Sequence, residues 1–449
     1  MSPRALTGGR TTLDALNQRL EPLRSLRGPV DPGFPDRVRE VVLIASSSRG
    51  GSSMLAETLR HSRPLLHLSA EINPFLRLAG FGRRVYEDTS DRLTAADLEA
   101  LDPALRAVLG AELAQDVGTA VDMIDDESYA YQVAWRLTVQ WPELPLDPLH
   151  LSQRALDVLR RVRAREGWAP GELPDVPGYF LALLRELGRD GVSIDPWYYD
   201  LPRSLLRETA PDGPTRRAPA ATLVEEPPFV VPRPWERATP DTAHRPLVIK
   251  TPSNVHRLGF LRALFPAARF RLVHLTRNPA AAVNGLYDGW LHHGFHAHRM
   301  AEPLRIEGYV EHCPDNRWWW KFDLPPGWAR YTSAPLPEVC AFQWRSAHRA
   351  VLDHLVDVGT ETLTVRFEDL IQDAHSRLRA FGELSDWLGV SLEGRYLRAV
   401  REGIGPVVAT ATPGVRRWRT RADVIEKALG AEDLALAEQL GYGDPDTWI

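Results

Sequence analysis

Val41-Val42-Leu43-Ile44-Ala45-Ser46-Ser47-Ser48-Arg49-Gly50-Gly51-Ser52-Ser53-Met54 is the run on which the fold of this chain turns. Val41 to Ile44 is a short apolar stretch rich in β-branched residues, the pattern of a strand buried on both faces of a parallel sheet. Ser46 to Gly51 is small, polar and glycine-bearing. Met54, Leu55, Thr58 and Leu59 then fall at helical spacing. Strand, small-residue loop and helix make the first unit of a βαβ fold.

The same rhythm returns downstream. Leu247-Val248-Ile249 reads as a strand, followed by a helix through Leu258, Leu261 and Leu264. Phe270 to Leu275 reads as another, followed by a helix that Pro279 opens at a position where proline is favoured. Thr362 to Val365 precedes a helix running to about Leu388. This alternation predicts the α/β class: a P-loop-like parallel sheet flanked by helices. Residues 1–37 are read as an N-terminal extension with a short helix near Leu13–Leu20. Residues 38–449 form a single domain that carries a large, mainly helical insertion at about 80–245. The insertion has amphipathic stretches at Ala155–Arg165 and Tyr179–Leu187 and a proline-rich, irregular part at Pro211–Pro246. A segment of that length inside a compact fold is expected to serve as a lid or acceptor-specificity region.

The chain has 449 residues, 44% hydrophobic and 25% charged, with net charge −5. That is the make-up of an ordinary folded protein. It argues against nucleic acid or an anionic membrane as partner, so any anion site must be local. Two cysteines, Cys313 and Cys340, are too few for a disulfide framework. Met1 to Arg10 lacks an apolar core, and no stretch reaches the roughly 20 apolar residues of a membrane span. The expectation is a cytoplasmic protein; the oligomeric state cannot be read.

The loop Ser48, Arg49, Gly50, Gly51, Ser52, Ser53 has the composition of an anion cradle. Small residues let successive N–H groups converge, and a helix N-terminus adds positive charge. The Ser52 and Ser53 hydroxyls can cap that helix or bond a phosphate, and Arg49 offers a planar fork. An ATP-binding P-loop would end in Gly-Lys-[Ser/Thr]; here Ser52 follows Gly51, and the lysine is absent. Lys250 and Arg277 follow predicted strands, at the carboxyl ends where open α/β sheets bind ligands. All three groups are therefore expected in one crevice.

These motifs, in order and spacing, resemble those of the PAPS-dependent sulfotransferases (PAPS is 3′-phosphoadenosine-5′-phosphosulfate), most closely in layout the tyrosylprotein, Golgi-type and bacterial branch. Ser48 to Ser53 resembles that family's 5′-phosphosulfate loop, and Lys250-Thr251-Pro252 its lysine motif. Leu275-Thr276-Arg277-Asn278-Pro279 resembles its 3′-phosphate motif. Val365 to Leu370 resembles a later strand-Glu-Asp-Leu segment, and Gly414-Val415-Arg416-Arg417-Trp418 a C-terminal stretch. The match covers roughly residues 38–80 and 245–420. Where the family places a 3′-phosphate serine, this chain has Gly285, beside Asn284. More of that binding is therefore expected of Arg277 and of the run Arg416, Arg417, Arg419.

The resemblance implies PAPS as donor, its bisphosphate product PAP, and a small-molecule or peptide acceptor bearing a hydroxyl. Natural-product acceptors are among the candidates. It also implies roles: Lys250 on the leaving 5′-phosphate oxygen, Arg49 on sulfuryl or phosphate oxygens, and no metal. The histidine base of the small-molecule branch is replaced by Pro252. The tyrosylprotein-like branch instead uses a Glu beyond the second strand, which here is Glu71 after Leu65 to Leu68, with His67 as the weaker alternative. Two other readings stay open, a P-loop kinase and a non-catalytic nucleotide-binding relative. Two clusters lie outside these motifs. His292, His293, His296 and His298 are read as solvated or acceptor-contacting rather than as zinc ligands. Trp318, Trp319 and Trp320, with Trp328 and Tyr331, are read as core packing or as an acceptor-pocket wall.

Overall fold

The computed structural model describes residues 4–81, 90–412 and 414–448. Nine strands are present among them: β1 Glu40–Ala45, β2 Leu66–His67, β3 Gly118–Ala120, β4 Trp235–Arg237, β5 Leu247–Lys250, β6 Arg269–Thr276, β7 His296–Arg299, β8 Trp319–Lys321 and β9 Glu361–Arg366. Seven of them make one sheet in the order β4-β3-β2-β5-β1-β6-β9, and β7 pairs with β8 apart from it. The run β2-β5-β1-β6-β9 is parallel throughout, whereas β3 and β4 join antiparallel. β1 lies at the centre of this parallel run, Val42 facing Val248 on one side and Arg271 on the other.

The sheet is apolar on both faces, as its strand sequences require. Val41, Leu43, Ala45, Leu247, Ile249 and Leu272 enter one core cluster, while the alternate residues Val42, Ile44, Val248, Val273 and Leu275 enter another. Period-two alternation thus feeds two helical layers instead of one layer and solvent. Each parallel strand leads into a helix. Ser52–Leu59 follows β1, Leu258–Leu264 follows β5 and Pro279–Leu291 follows β6. After β9 the helix expected to run to Leu388 is two: Phe367–Ile371, then Ala374–Leu388, restarted where the Asp373 side chain caps the Ser376 N–H.

The N-terminal helix runs Arg4–Leu26, well beyond Leu13–Leu20. Leu13, Leu16, Leu20 and Leu23 recur at its three-to-four-residue spacing and are buried in the same cluster as the insertion helices. Four insertion helices, Pro103–Asp116, Asp126–Gln140, Pro148–Glu166 and Val176–Arg189, each start behind an aspartate. Asp102, Asp125, Asp147 and Asp175 accept first-turn N–H groups. The insertion also lengthens the sheet. β3 and β4 both fall inside it, the latter within the proline-rich part read as irregular.

Candidate active site

The carboxyl ends of β1, β2, β5, β6 and β9 face one cavity of about 820 Å³, near the upper end of the size usual for ligand sites. After β1 the chain turns tightly. The Gly50 N–H donates to the Ser47 carbonyl at 3.0 Å, and Arg49 and Gly51 adopt left-handed backbone at φ 62° and 101°. Gly50 does not line the cavity; a Cβ there would lie 2.2 Å from Ser46 Oγ, so the turn needs glycine at this position. Gly51 caps helix Ser52–Leu59 without any side-chain capping bond, so of the two roles open to the Ser52 and Ser53 hydroxyls capping is not the one taken. Ser48, Ser52 and Ser53 line the cavity. The Ser48 hydroxyl donates to Asp323 Oδ1 at 2.6 Å, a buried carboxylate from the loop after β8.

Lys250 ends β5, and its Nζ donates to Glu71 Oε1. Glu71 lies just past β2 on a loop fixed at both ends. Ser69 donates N–H and Oγ to Asp116, at 2.9 and 2.5 Å. Arg136 bridges Ser69 and Asp116 to Glu225. At the other end Asn73 donates to Glu226 at 3.0 Å, and between them the Ile72 N–H donates to Thr251 Oγ1 at 3.2 Å. The insertion therefore supplies four carboxylate or guanidinium groups, Asp116, Arg136, Glu225 and Glu226, that hold this loop. Burial pushes the Glu226 carboxyl up against the opposing pull of Arg77. His67, the alternative base, points into the protein, lines no part of the cavity and is depressed well below the usual histidine range by burial.

Arg277 directly follows β6 and donates through Nη1 to the Arg49 carbonyl at 2.9 Å, its guanidinium 4.7 Å over the Phe367 ring. Burial, with Arg277 nearby, lowers Arg49 to about 10. The Arg49 guanidinium does not point freely at an anion. Its Nη1 and Nη2 donate to the Val408 carbonyl at 2.9 Å and to Thr410 Oγ1 at 3.3 Å. These belong to a cavity-lining strap, residues 404–411, that sequence reasoning did not single out. Asp200 accepts from the Val408 N–H and Arg203 donates to the Ala409 and Thr410 carbonyls, tying the strap to the insertion.

Asn284 and Gly285 both line the cavity, in helix Pro279–Leu291. Asn284 is not free to replace the missing serine, because its Oδ1 accepts from Arg421 Nη1 at 2.6 Å. A Cβ at Gly285 would lie 3.3 Å from the Arg49 Cβ and 3.8 Å from Arg277 Nη1, so glycine leaves space beside that guanidinium. Of the C-terminal run, Arg416, Arg417 and Trp418 line the cavity and Arg419 does not; it is exposed, 5.8 Å over Trp418. Arg417 and Arg421 share Asp288 at 2.6 and 2.8 Å.

The tryptophan cluster is core. Trp319 and Trp320 are buried, Trp320 edge-on to Trp290 at 5.2 Å, and none of Trp318, Trp319, Trp320, Trp328 and Tyr331 lines the cavity. The aromatic wall is Phe295, Phe322 and Phe367 instead. The histidines are enclosed rather than solvated: His296 and His298 are buried, and burial lowers His292 to about 2 and His293 to about 4. Among the described residues no group of three or more His, Cys, Asp or Glu side chains is placed to hold a metal, and no helix is long and apolar enough to cross a membrane.

No family model matches the sequence, and no curated protein matches it significantly. The chain is similar to two solved bacterial structures. The sulfotransferase domain from the curacin biosynthetic pathway is 14% identical, over 91% of this chain and 99% of that one, with a TM-score of 0.36. Sulfotransferase STF9 from Mycobacterium avium is 12% identical, over 97% and 86%, with a TM-score of 0.33. Neither is a Golgi-type enzyme. Scores this low leave the fold of this chain to its own strand order and the site to its own side chains.

Proposed function

We propose that this protein transfers a sulfuryl group from PAPS to an acceptor hydroxyl. The observation that carries the reading is the convergence on one cavity of a lysine-free anion loop, the Lys250–Glu71 pair on the neighbouring strand end and Arg277 on the next. The cavity fits such a donor in three respects. The loop and the helix start offer N–H groups to a 5′-phosphosulfate. Arg277, with the space Gly285 leaves beside it, suits a 3′-phosphate. The volume accommodates a nucleotide with room beyond it. Bound there, the donor supplies an activated sulfuryl group whose leaving group is a phosphate.

The work of this chain is positioning and charge stabilisation, as in phosphoryl transfer. Glu71 Oε1 receives the proton of the attacking hydroxyl as the new S–O bond forms. Lys250 Nζ, which donates to Glu71, neutralises the 5′-phosphate oxygen as its bond to sulfur breaks. Moving the ammonium from Glu71 to that oxygen frees the carboxylate when it is needed. The acceptor lies against Phe295, Phe322, Pro227 and Pro228. Ligand-induced stabilisation tests the reading: PAP should raise the melting temperature and ATP should do so much less. An equal or larger shift with ATP would overturn it in favour of the kinase.

A further inference from the structure

A second cationic centre lines the same cavity away from the phosphate loop. Helix Ser52–Leu59 carries the loop at its N-terminus and Arg60 at its C-terminal cap. Eight residues at 1.5 Å each separate the two by about 12 Å. The Arg60 side chain is only 11% exposed, and its Nη1 is buried with no hydrogen-bond partner. Its guanidinium lies 5.4 Å over Trp235 and reaches Glu57 Oε2 only at 3.5 Å, through Nε. The other Glu57 oxygen is taken by Arg233 Nη1 at 2.5 Å. Two guanidiniums thus share one carboxylate, and all three side chains face the cavity.

The remaining charges nearby are committed elsewhere. Asp116 binds Ser69 and Arg136, and Glu225 binds Arg136 and Gln140. Asp200 also lines the cavity and accepts from the Val408 N–H. Burial lowers Arg60 to about 10, reinforced by Arg233, and Arg233 holds Glu57 below the usual range although burial alone would raise it. An enclosed guanidinium with an unpaired N–H, in a cluster of net charge +1, has unused capacity for an anion. A monoanion would neutralise it, and the planar fork of arginine matches a carboxylate.

We propose that Arg60 and Arg233 bind a carboxylate of the acceptor, so that the hydroxyl presented to Glu71 belongs to a hydroxy acid whose anionic end lies roughly a helix length from the phosphate loop. The inference rests on the sulfuryl-transfer reading for the identity of the hydroxyl, but the anion site can be tested without turnover. ω-(4-Hydroxyphenyl)alkanoates of increasing chain length, and their methyl esters, are titrated by calorimetry into the full chain with and without PAP. At the chain length that spans the site, the acid should bind about 10- to 100-fold more tightly than its ester, the range for a charge-assisted contact. In Arg60→Gln and Arg233→Gln that ratio should fall towards one, while PAP affinity stays as in the wild type.

Equal binding of acid and ester at every length, or no binding of any acid, overturns the proposal in the wild-type protein alone. So does an acid preference that survives both substitutions. Failure of PAP to bind, with the acid preference intact, would instead remove the transfer reading and leave the carboxylate site standing.

Discussion

Glu71→Gln separates chemistry from architecture, and the structure sets both magnitudes. Glutamine is nearly isosteric and keeps an oxygen for Lys250 Nζ, so the substitution removes a proton acceptor and one charge. The Glu71 and Lys250 side chains are 32% and 16% exposed, and a pair that wet contributes at most about 1 kcal/mol to stability. The loop stays held by Ser69 on Asp116, Asn73 on Glu226 and Ile72 on Thr251. In a chain of this size, 1 kcal/mol moves the melting temperature by no more than about 2–4 °C. A positioned base contributes about 10²- to 10⁴-fold, equivalent to about 3–5 kcal/mol of barrier. The expected result is turnover down by that factor, PAP affinity within about threefold of wild type and near-native melting. The assay is steady-state turnover with PAPS and an aliphatic alcohol, or with a phenol well below its pKa, since an ionised acceptor needs no base. A variant with near-normal kcat would refute the assignment. Lys250→Ala is the companion: it should slow turnover and weaken donor binding together.

Arg277→Ala should weaken PAP about 10- to 100-fold while affecting adenosine-5′-phosphosulfate, which has no 3′-phosphate, far less; equal losses would show that Arg277 does not read that phosphate. Asp116→Ala takes one of two carboxylates from buried Arg136, which keeps Glu225, and leaves Ser69 without its acceptor, so it should cost about 1–3 kcal/mol in urea unfolding; an unchanged midpoint would show that the network under Ser69 carries no stability. His274 and His348 form a buried pair at 3.0 Å, with burial holding His274 near 4 and His348 well below the usual range. Their folded pKa values lie below the unfolded value of about 6.5, so the unfolded chain binds more protons as pH falls. Stability is therefore lost between about pH 6.5 and 4, and His274→Gln/His348→Gln should lessen the fall of the urea midpoint over that window; an unchanged pH slope would refute the attribution.

The elements legible in the sequence were those whose residues are buried by local pattern. β1, β5, β6 and β9 announce themselves as apolar β-branched runs, and the loop after β1 as small residues before a helical period. β3 and β4 are three residues each at the sheet edge, too short for any periodicity to register. The Asp-Pro steps at 102–103 and 147–148 carried a helix-start signal that could have placed two insertion helices. The places of Lys250 and Arg277 at strand ends were legible from the apolar runs before them, whereas Glu71 was singled out only through the family resemblance. The bond from Arg49 to Val408 spans 359 positions and that from Ser48 to Asp323 spans 275. No local pattern encodes such partners, and the strap, Asp323 and the Glu225–Glu226 pair were missed for that reason. The tryptophans misled in a different way: three large apolar side chains in a polar segment mark burial, and whether that burial faces a core or a ligand depends on the strands β7 and β8.

Glu225 and Glu226 fasten the loop that bears Glu71, the proposed base, and Pro227 and Pro228, the next two residues, form wall of the cavity. On the proposed assignment, selectivity and proton transfer ride on one four-residue segment and cannot drift independently. A graft that swaps this segment to admit a new acceptor dislodges Glu71 as well and yields a slower catalyst, whatever fits the enlarged space. Lineages or libraries that keep Glu225-Glu226 and vary the Phe295 and Phe322 side instead have a path to new acceptors that leaves the base in place.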